Sequence, residues 1–448
     1  MKRIVGFLLA LGLVLMFSLT ASAVDVKFSG EYFAAGLYLD KVSLVKKSTA
    51  MPLESRGQST AFYFQRLRLK TDFVVAPGLV FTTRADIMDR SWGATRSAPG
   101  INLAYDSAGT RAENENIAFD WAYLTYMSPI GVIQAGYMDD YAWGTIFGDR
   151  SKPNPSIKWV ARWKNLILGA GIVKETENSY TAINAARVPD ADLDCYGLFA
   201  MYKFEYGEVG YLLRSNRIAS LKPALGVKVT TYINIPYVKL KMGPVEVEAE
   251  INYTFGKYDW DAAQLLPAKQ IDSWAAYINA LGNFGVFYVG GTFAWLPGND
   301  PNTDRVTGLL TGGTDWNPCL ILWNHERSYQ AGSIAGASGY VNNTDGIVST
   351  GMANAWFFQG KIGVRPMDKL DINASVSYAN AVVKPTNAWL NNDYGWEIDA
   401  TAAYKITNNL TYMLGFGYLF TGDYFKGTDA NTSLYNDYLV INKLTLTF

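Results

Sequence analysis

The chain has 448 residues, with 39 Lys and Arg against 40 Asp and Glu, one His and two Cys. A formal net charge of −1 argues against a nucleic-acid binder, and two cysteines are too few for a disulfide framework. Aromatic residues make up 14% of the chain, which is typical of membrane-interface belts and also of secreted sugar-binding proteins.

The first 23 residues have the features of a secretory signal peptide. Lys2 and Arg3 precede an apolar run, and Ala21-Ser22-Ala23 matches an A-x-A cleavage site. We therefore expect 1–23 to be removed. Beyond them no apolar run reaches the roughly 18 residues of a membrane-spanning helix, so any membrane crossing must use strands.

Segments that alternate apolar and polar residues recur along the rest of the chain. Such period-2 alternation is typical of strands with one apolar and one polar face. It predicts eighteen strands, with sixteen as the alternative count. The predicted strands are 24–39, 59–75, 79–90, 115–128, 131–139, 156–164, 166–175, 192–205, 208–217, 225–242, 245–257, 270–282, 284–295, 354–366, 369–381, 393–405, 409–421 and 437–448.

Connections between the predicted strands are alternately short and long. Links with turn chemistry, such as Ala76-Pro77-Gly78, alternate with longer ones, the longest being 296–353. If both termini face the periplasm, short links are periplasmic turns and long links extracellular loops. A sandwich has no reason to sort its connections by end. We therefore predict an all-β fold over 24–448, a single transmembrane antiparallel up-and-down β-barrel with 296–353 as a long extracellular loop.

The Gly243-Pro244 hairpin predicts a specific strand register. If these two residues form the loop, Lys241 lies opposite Glu246 and Lys239 lies opposite Glu248. In the same way, the link at 76–78 sets Arg68 across from Asp86. Pro236 is expected to cause a bulge in its strand, because proline cannot donate to the ladder.

Ionisable side chains fall on the face opposite the apolar one. A charge on a lipid-facing position would cost about 2–4 kcal/mol at mid-membrane, so this parity predicts a wet interior. Eighteen strands enclose more space than wall side chains fill, which leaves a channel. A basic wall opposite an acidic one would set ion preference, although the same residues could merely pair and solvate the wall. The candidate pore-lining residues are Arg66, Arg68, Lys70, Arg84, Asp86, Lys158, Arg162, Lys239, Lys241, Glu246, Glu248, Glu250, Lys361, Asp371, Glu397 and Asp399.

The last predicted strand ends on Phe448. A terminal strand that ends in Phe resembles the assembly signal of bacterial outer-membrane proteins, which implies the barrel-assembly machinery as a partner. The chain as a whole resembles bacterial outer-membrane porins and is similar to the alginate-export and trimeric porin families. The matching patches are VDVKFSGE at 24–31, FQRLRL at 64–69, TTRAD at 82–86, GWEID at 395–399 and NLTY at 409–412.

The resemblance implies passive diffusion through an 18-stranded monomer or a homotrimer of barrels, surrounded by outer-membrane lipids. Alginate exporters use an arginine-rich constriction, and Arg66, Arg68 and Arg84 could serve similarly. The acidic strands put a purely anionic polymer substrate in doubt.

These features favour an outer-membrane channel for small polar solutes that performs no chemistry. We find no His/Cys set spaced for zinc, no haem motif and no phosphate loop, and expect no metal, cofactor or nucleic acid. Alternatives are a selective anion or oligosaccharide channel, a barrel sheath for a secreted partner, and a hydrolase built on His325, although a triad is recognised by geometry. Pairing of Cys195 with Cys319 is left open.

Overall fold

A computed structural model of the protein describes residues 24–41, 43–47, 57–93, 117–178, 191–261, 269–324 and 351–448. The signal peptide predicted at 1–23 and the hydrolase candidate His325 both lie outside these ranges. Within them, no helix has the length and apolar character needed to cross a membrane.

Twenty strands make up most of the described chain, and two of them are only two or three residues long. Their bounds are β1 Asp25–Leu39, β2 Val45–Lys47, β3 Thr60–Ala76, β4 Leu79–Ser91, β5 Ile117–Ser128, β6 Gly131–Tyr141, β7 Arg150–Trp163, β8 Leu166–Thr176, β9 Leu193–Phe204, β10 Gly207–Ile218, β11 Val227–Met242, β12 Val245–Trp260, β13 Lys269–Phe284, β14 Phe287–Leu296, β15 Ala355–Met367, β16 Leu370–Asn380, β17 Asp393–Lys405, β18 Leu410–Thr421, β19 Ser433–Leu434 and β20 Asp437–Thr447.

Eighteen of these strands form one closed antiparallel sheet. β1 pairs with β3 on one side and with β20 on the other, which joins the two ends of the sheet. The two short strands, β2 and β19, pair with each other outside it. The predicted barrel of eighteen strands is therefore confirmed, and the alternative of sixteen is not. Closure leaves the long strands without an exposed edge.

The predicted hairpin registers are confirmed. Lys241 pairs with Glu246 and Lys239 with Glu248 across the Gly243-Pro244 turn, and Arg68 pairs with Asp86. The register around Pro236 differs from the prediction. The pairing of β11 with β12 continues without a shift from Asn234 to Tyr237, because the proline only omits ladder contacts there.

Three further details were predicted wrongly. The turn between β13 and β14 lies at Gly285 and Val286 instead of 282–283, because Gly285 supplies the positive φ of 65° that the turn needs. β7 begins at Arg150, six residues earlier than predicted. Simple alternation along the predicted strand 79–90 places Arg90 on the inner face with Arg84 and Asp86. Instead Arg90 pairs with Gln65 on the outer face, because the register shifts where Met88 adopts a φ of 55°.

The outer surface of the barrel is apolar. Phe119, Trp163 and Ile362 are among many large apolar side chains that remain more than 60% exposed. They alternate along the strands with polar and charged residues on the inner face, as in strands that separate lipid from a wet interior.

The interior contains a packed hydrophobic cluster as well as charges. It joins inward side chains of the wall to residues from several connections, among them Phe147, Trp316 and Ile321. Part of the space that wall side chains could not fill is therefore filled by chain segments that fold inward.

Candidate functional site: the barrel interior

The first inward connection is residues 142–149, here called the β6–β7 segment. Thr145 donates both its backbone N–H and its hydroxyl to the Glu250 carboxylate of β12, at 2.7 and 2.9 Å. The indole N–H of Trp143 donates to the carbonyl of Ile235 at 3.1 Å. The segment is thereby held against β11 and β12, four and five strands beyond β7 in the barrel wall.

Gly144 allows the backbone of this segment to approach Glu250 closely. Its φ is 70°, and a Cβ at this position would lie 2.5 Å from Glu250 Oε2. A side chain here would therefore clash as well as strain the backbone.

The second inward connection is residues 309–324, here called the β14–β15 segment. The backbone N–H groups of Ile321 and Leu322 donate to the two oxygens of Glu397, at 2.6 and 2.8 Å. Glu397 is fully buried and lies on β17. Gln359 of β15 donates to the carbonyl of Pro318 at 2.7 Å. A buried carboxylate is tolerated here because it satisfies two otherwise orphaned backbone donors.

The two segments contact each other inside the barrel. Gly313 N–H donates to the carbonyl of Phe147 at 2.7 Å, and Asp315 N–H donates to the carbonyl of Asp149 at 3.1 Å. The Phe147 ring stacks on Tyr277 with centroids 5.0 Å apart and meets Trp316 edge-on at 5.3 Å. Backbone hydrogen bonds and aromatic packing thus join the segments into one unit, which narrows the interior.

The basic residues predicted on β3 and β4 all carry a close partner. Arg68 makes a bidentate pair with Asp86, both bonds at 2.7 Å, and Lys70 pairs with Asp72 at 2.8 Å. The Arg66 guanidinium lies 5.1 Å from the Phe33 ring centroid. Because the carboxylates lie on the same wall, the field across the barrel is weaker than unpaired basic and acidic walls would produce.

Arg84 is the start of an ion network that crosses the wall. Its guanidinium lies 3.6 Å from the Trp121 ring centroid, bonds Asp120 and approaches Asp139 at 3.5 Å. Farther along, Arg214 bonds Asp140 at 2.6 Å and Glu175 at 2.9 Å. Lys158 donates to the carbonyl of Asp139 at 2.5 Å.

The remaining predicted residues fall into three settings. Near the turns, Arg162 donates to the carbonyl of Lys164, and Lys241 pairs with Glu246 at 2.6 Å. Two carboxylates on the inner wall accept hydrogen bonds from neighbours there: Glu248 from Tyr277, and Asp371 from Tyr288 and Arg365. Two lysines contact the same wall in other ways, since Lys239 lies over the Tyr237 ring and Lys361 lies opposite Ser375. Asp399 lies beside Glu397 and is 5% exposed.

Both cysteines are free thiols in separate buried places. The Cys195 thiol lies 3.4 Å from Glu175, while Cys319 belongs to the β14–β15 segment. At the chain end, Phe448 exchanges backbone hydrogen bonds with Gly30 of β1, which extends the closing strand pair to the last residue.

Sequence reasoning missed the carboxylates that neutralise the basic residues and the donors that hold the segments. Asp120 falls beside a register shift in β5, so simple alternation gives no signal for it. Arg214 lies on the inner face of the wall, like the residues already predicted. Assigning the inner and outer faces along the whole of β10 would have identified it. Thr145 bonds a residue 105 positions away, a contact that no local pattern reveals.

Neither a protein-family model nor a curated protein matches the sequence. Three solved Pseudomonas aeruginosa structures are similar to the chain. OccK9 (OpdG) is 14% identical, with 94% of this chain and 99% of that chain covered and a TM-score of 0.53. OccK8 (OprE) is 10% identical, with 95% of this chain and 98% of that chain covered and a TM-score of 0.53. The outer membrane protein OpdK is 12% identical, with 94% of this chain and 99% of that chain covered and a TM-score of 0.50. At these identities the likeness concerns the fold, and the chain shares it over nearly its whole length.

Proposed function

We propose that the protein is a bacterial outer-membrane porin, a passive diffusion channel for small hydrophilic solutes and ions that performs no chemistry. One observation carries the proposal. In a closed barrel of eighteen strands, large apolar side chains cover the outside, and the ionisable groups of β3, β4, β12, β16 and β17 lie inside. A water-soluble barrel would be expected to show the opposite arrangement.

The ion preference of such a channel should be modest. Arg68, Lys70 and Arg84 each have a carboxylate partner on the same wall, so the path is lined by pairs that attract passing ions of either sign only weakly. We propose that these and the other predicted residues line the path.

Single-channel recording tests the proposal. The purified protein is inserted in a planar bilayer under a salt gradient. We expect open ohmic steps and a small reversal potential. A folded, heat-modifiable barrel that never conducts would contradict the porin function.

A selective anion or oligosaccharide channel is the second candidate. The observation that favours it is the narrowing of the interior by the two segments that Glu250 and Glu397 hold in place. A narrow, polar passage can discriminate among solutes that a wide pore admits equally. Liposome flux that saturates for one solute class would support this candidate, whereas linear flux for all small solutes would favour the general porin.

The surroundings and partners follow from the same proposal. We infer outer-membrane lipids around the apolar outer face and assembly through the terminal strand that ends at Phe448. The assembly is either a monomer or a homotrimer of barrels, and cross-linking in native membranes distinguishes the two. The sheath and hydrolase hypotheses would require a co-purifying partner or an activity lost in His325→Ala, respectively.

A further inference from the structure

Three potential metal ligands meet inside the barrel, where the β14–β15 segment contacts the wall. The thiol of Cys319 and the carboxylates of Glu397 and Asp399 have donor atoms that all lie within 4.8 Å of one another. All three residues are buried. Glu397 and Asp399 are two positions apart on β17, so both side chains point to the same face of the strand.

Asp399 is buried with few close partners. The residue is 5% exposed, and neither of its carboxylate oxygens has a donor in good hydrogen-bond geometry among the described residues, although the backbone N–H of Leu320 and the hydroxyl of Ser375 lie near the carboxylate. A Cβ built on Gly417 would lie 2.8 Å from Asp399 Oδ1 and 3.1 Å from Leu320 Cβ, which places this carboxylate between β18 and the β14–β15 segment. Buried polar groups are normally well satisfied, so a weakly partnered carboxylate beside two other potential ligands is suited to binding a cation.

The charges of the cluster are not balanced by the described part of the chain. No ion pair among the described residues reaches Glu397 or Asp399. A buried carboxylate costs several kcal/mol unless it is protonated or paired with a cation, and two neighbouring carboxylates repel each other when both are ionised. A divalent cation would remove both penalties. Glu397 can still contribute, because a carboxylate has about four acceptor positions and the bonds from Ile321 and Leu322 use only two of them.

The chemistry of the donors selects the class of metal. Calcium and magnesium prefer sites made of oxygen ligands only, whereas a thiolate combined with carboxylates suits Zn²⁺ and softer divalent ions. Donor atoms around one zinc ion lie about 3–4 Å apart, so the cluster needs only a small closure. This site was not expected from the sequence, because Cys319 and Glu397 are far apart in the chain.

We propose that Cys319, Glu397 and Asp399 form a binding site for a zinc-like divalent cation that fastens the β14–β15 segment to β17. Binding releases the thiol proton, because the thiolate is the ligand. The inference does not depend on the solute that the channel carries.

Cadmium titration of the folded, detergent-solubilised protein, after washing with a chelator, tests the site. Cd²⁺ is used because its bond to a thiolate gives an ultraviolet charge-transfer band. We expect one Cd²⁺ per chain with this band, displaced by Zn²⁺. The band should disappear in Cys319→Ser, and affinity should fall at least about tenfold in Asp399→Asn. Cys195→Ser is the matched control, since its thiol is also buried but lies beside Glu175; it should keep the band.

Thiol labelling of the wild-type protein gives a second measurement that needs no variant to fold. Zn²⁺ should slow the alkylation of Cys319 at least about tenfold and leave the alkylation of Cys195 unchanged. A folded wild-type protein without the cadmium band, a band retained in Cys319→Ser, or equal protection of both thiols would overturn the metal site. A barrel that conducts ions but binds no Cd²⁺ would overturn only this inference and leave the porin function standing.

Discussion

Glu250 is the residue that ties the β6–β7 segment to the wall. It is 2% exposed and accepts two hydrogen bonds from Thr145. Hydrogen bonds to a charged group contribute about 1.5–3 kcal/mol each, so their loss should release the segment.

We therefore expect Glu250→Ala to raise the single-channel conductance and to increase current fluctuations, because the β6–β7 segment leaves the passage. The measurement is single-channel recording beside wild type. Glu246→Ala is the control, since Glu246 lies on the same strand face but near the turn, where it pairs with exposed Lys241. Equal conductance in Glu250→Ala and wild type would show that the segment does not restrict the passage.

Asp149 lies at the end of the β6–β7 segment and should make the position of this segment depend on pH. Burial raises the pKa of the Asp149 carboxyl to about 6 from an ordinary 3.8, although the carboxyl accepts the Trp143 N–H. The acidic groups of Asp315 and Glu248 also raise this pKa, Lys239 lowers it, and Glu250 is a further carboxylate nearby.

The direction of the pH effect on the segment follows from the raised pKa of Asp149. The inward position favours the protonated carboxyl, so it is most stable below about pH 4 and loses stability as the pH rises towards 6. We expect current fluctuations to increase between pH 4 and pH 7 in wild type. Asp149→Asn should reduce this increase, since its amide cannot ionise. An unchanged pH profile in Asp149→Asn would assign the effect to another group.

At the scale of the element, aromatic packing stabilises the contact between the two segments. Trp316 meets Phe147, Tyr277 and Phe357 edge-on, with centroids 5.3–5.9 Å apart. These contacts come from two connections and two strands, so one side chain couples all four.

Trp316→Ala should weaken this packing by about 3–5 kcal/mol, the usual cost of truncating a buried Trp. We expect faster protease cleavage within the β14–β15 segment while the barrel itself stays folded. Leu309→Ala is the control, because Leu309 begins the same segment but is 39% exposed. Equal cleavage rates in the two variants would mean that Trp316 does not stabilise the inward fold.

At the scale of the whole molecule, the two faces of the barrel wall meet different surroundings. Ile398 lies near the middle of β17 on the apolar outer face, and Thr401 lies on the inner face of the same strand. A charge on the lipid face near mid-membrane should cost about 2–4 kcal/mol.

Ile398→Arg should therefore lower the free energy of unfolding from lipid vesicles by about 2–4 kcal/mol. Thr401→Arg, the matched control, should change it much less, because an inward arginine reaches water or acidic partners. Denaturant titration of vesicle-inserted protein, followed by the heat-modified gel shift, measures both. A cost as large for Thr401→Arg as for Ile398→Arg would argue against a wet interior beside β17.

The sequence by itself determined the barrel and most of its register. Strand alternation and turn residues are local, so β12, β17 and the Arg68 pairing with Asp86 could be predicted from neighbouring positions. Predictions failed where a local irregularity moved the following side chains to the other face of the wall, as at Met88. They also failed where a glycine shifted the position of a turn, as at Gly285.

Only the tertiary structure decided what fills the barrel. Thr145 meets Glu250 across 105 residues, and Ile321 meets Glu397 across 76, so no period in the sequence encodes either contact. The same holds for the cluster of Cys319, Glu397 and Asp399. In the alternation of apolar and polar residues, Glu250 and Glu397 cannot be distinguished from residues that face a channel. Their burial depends on which connections fold back into the lumen, and this is a property of packing and not of alternation.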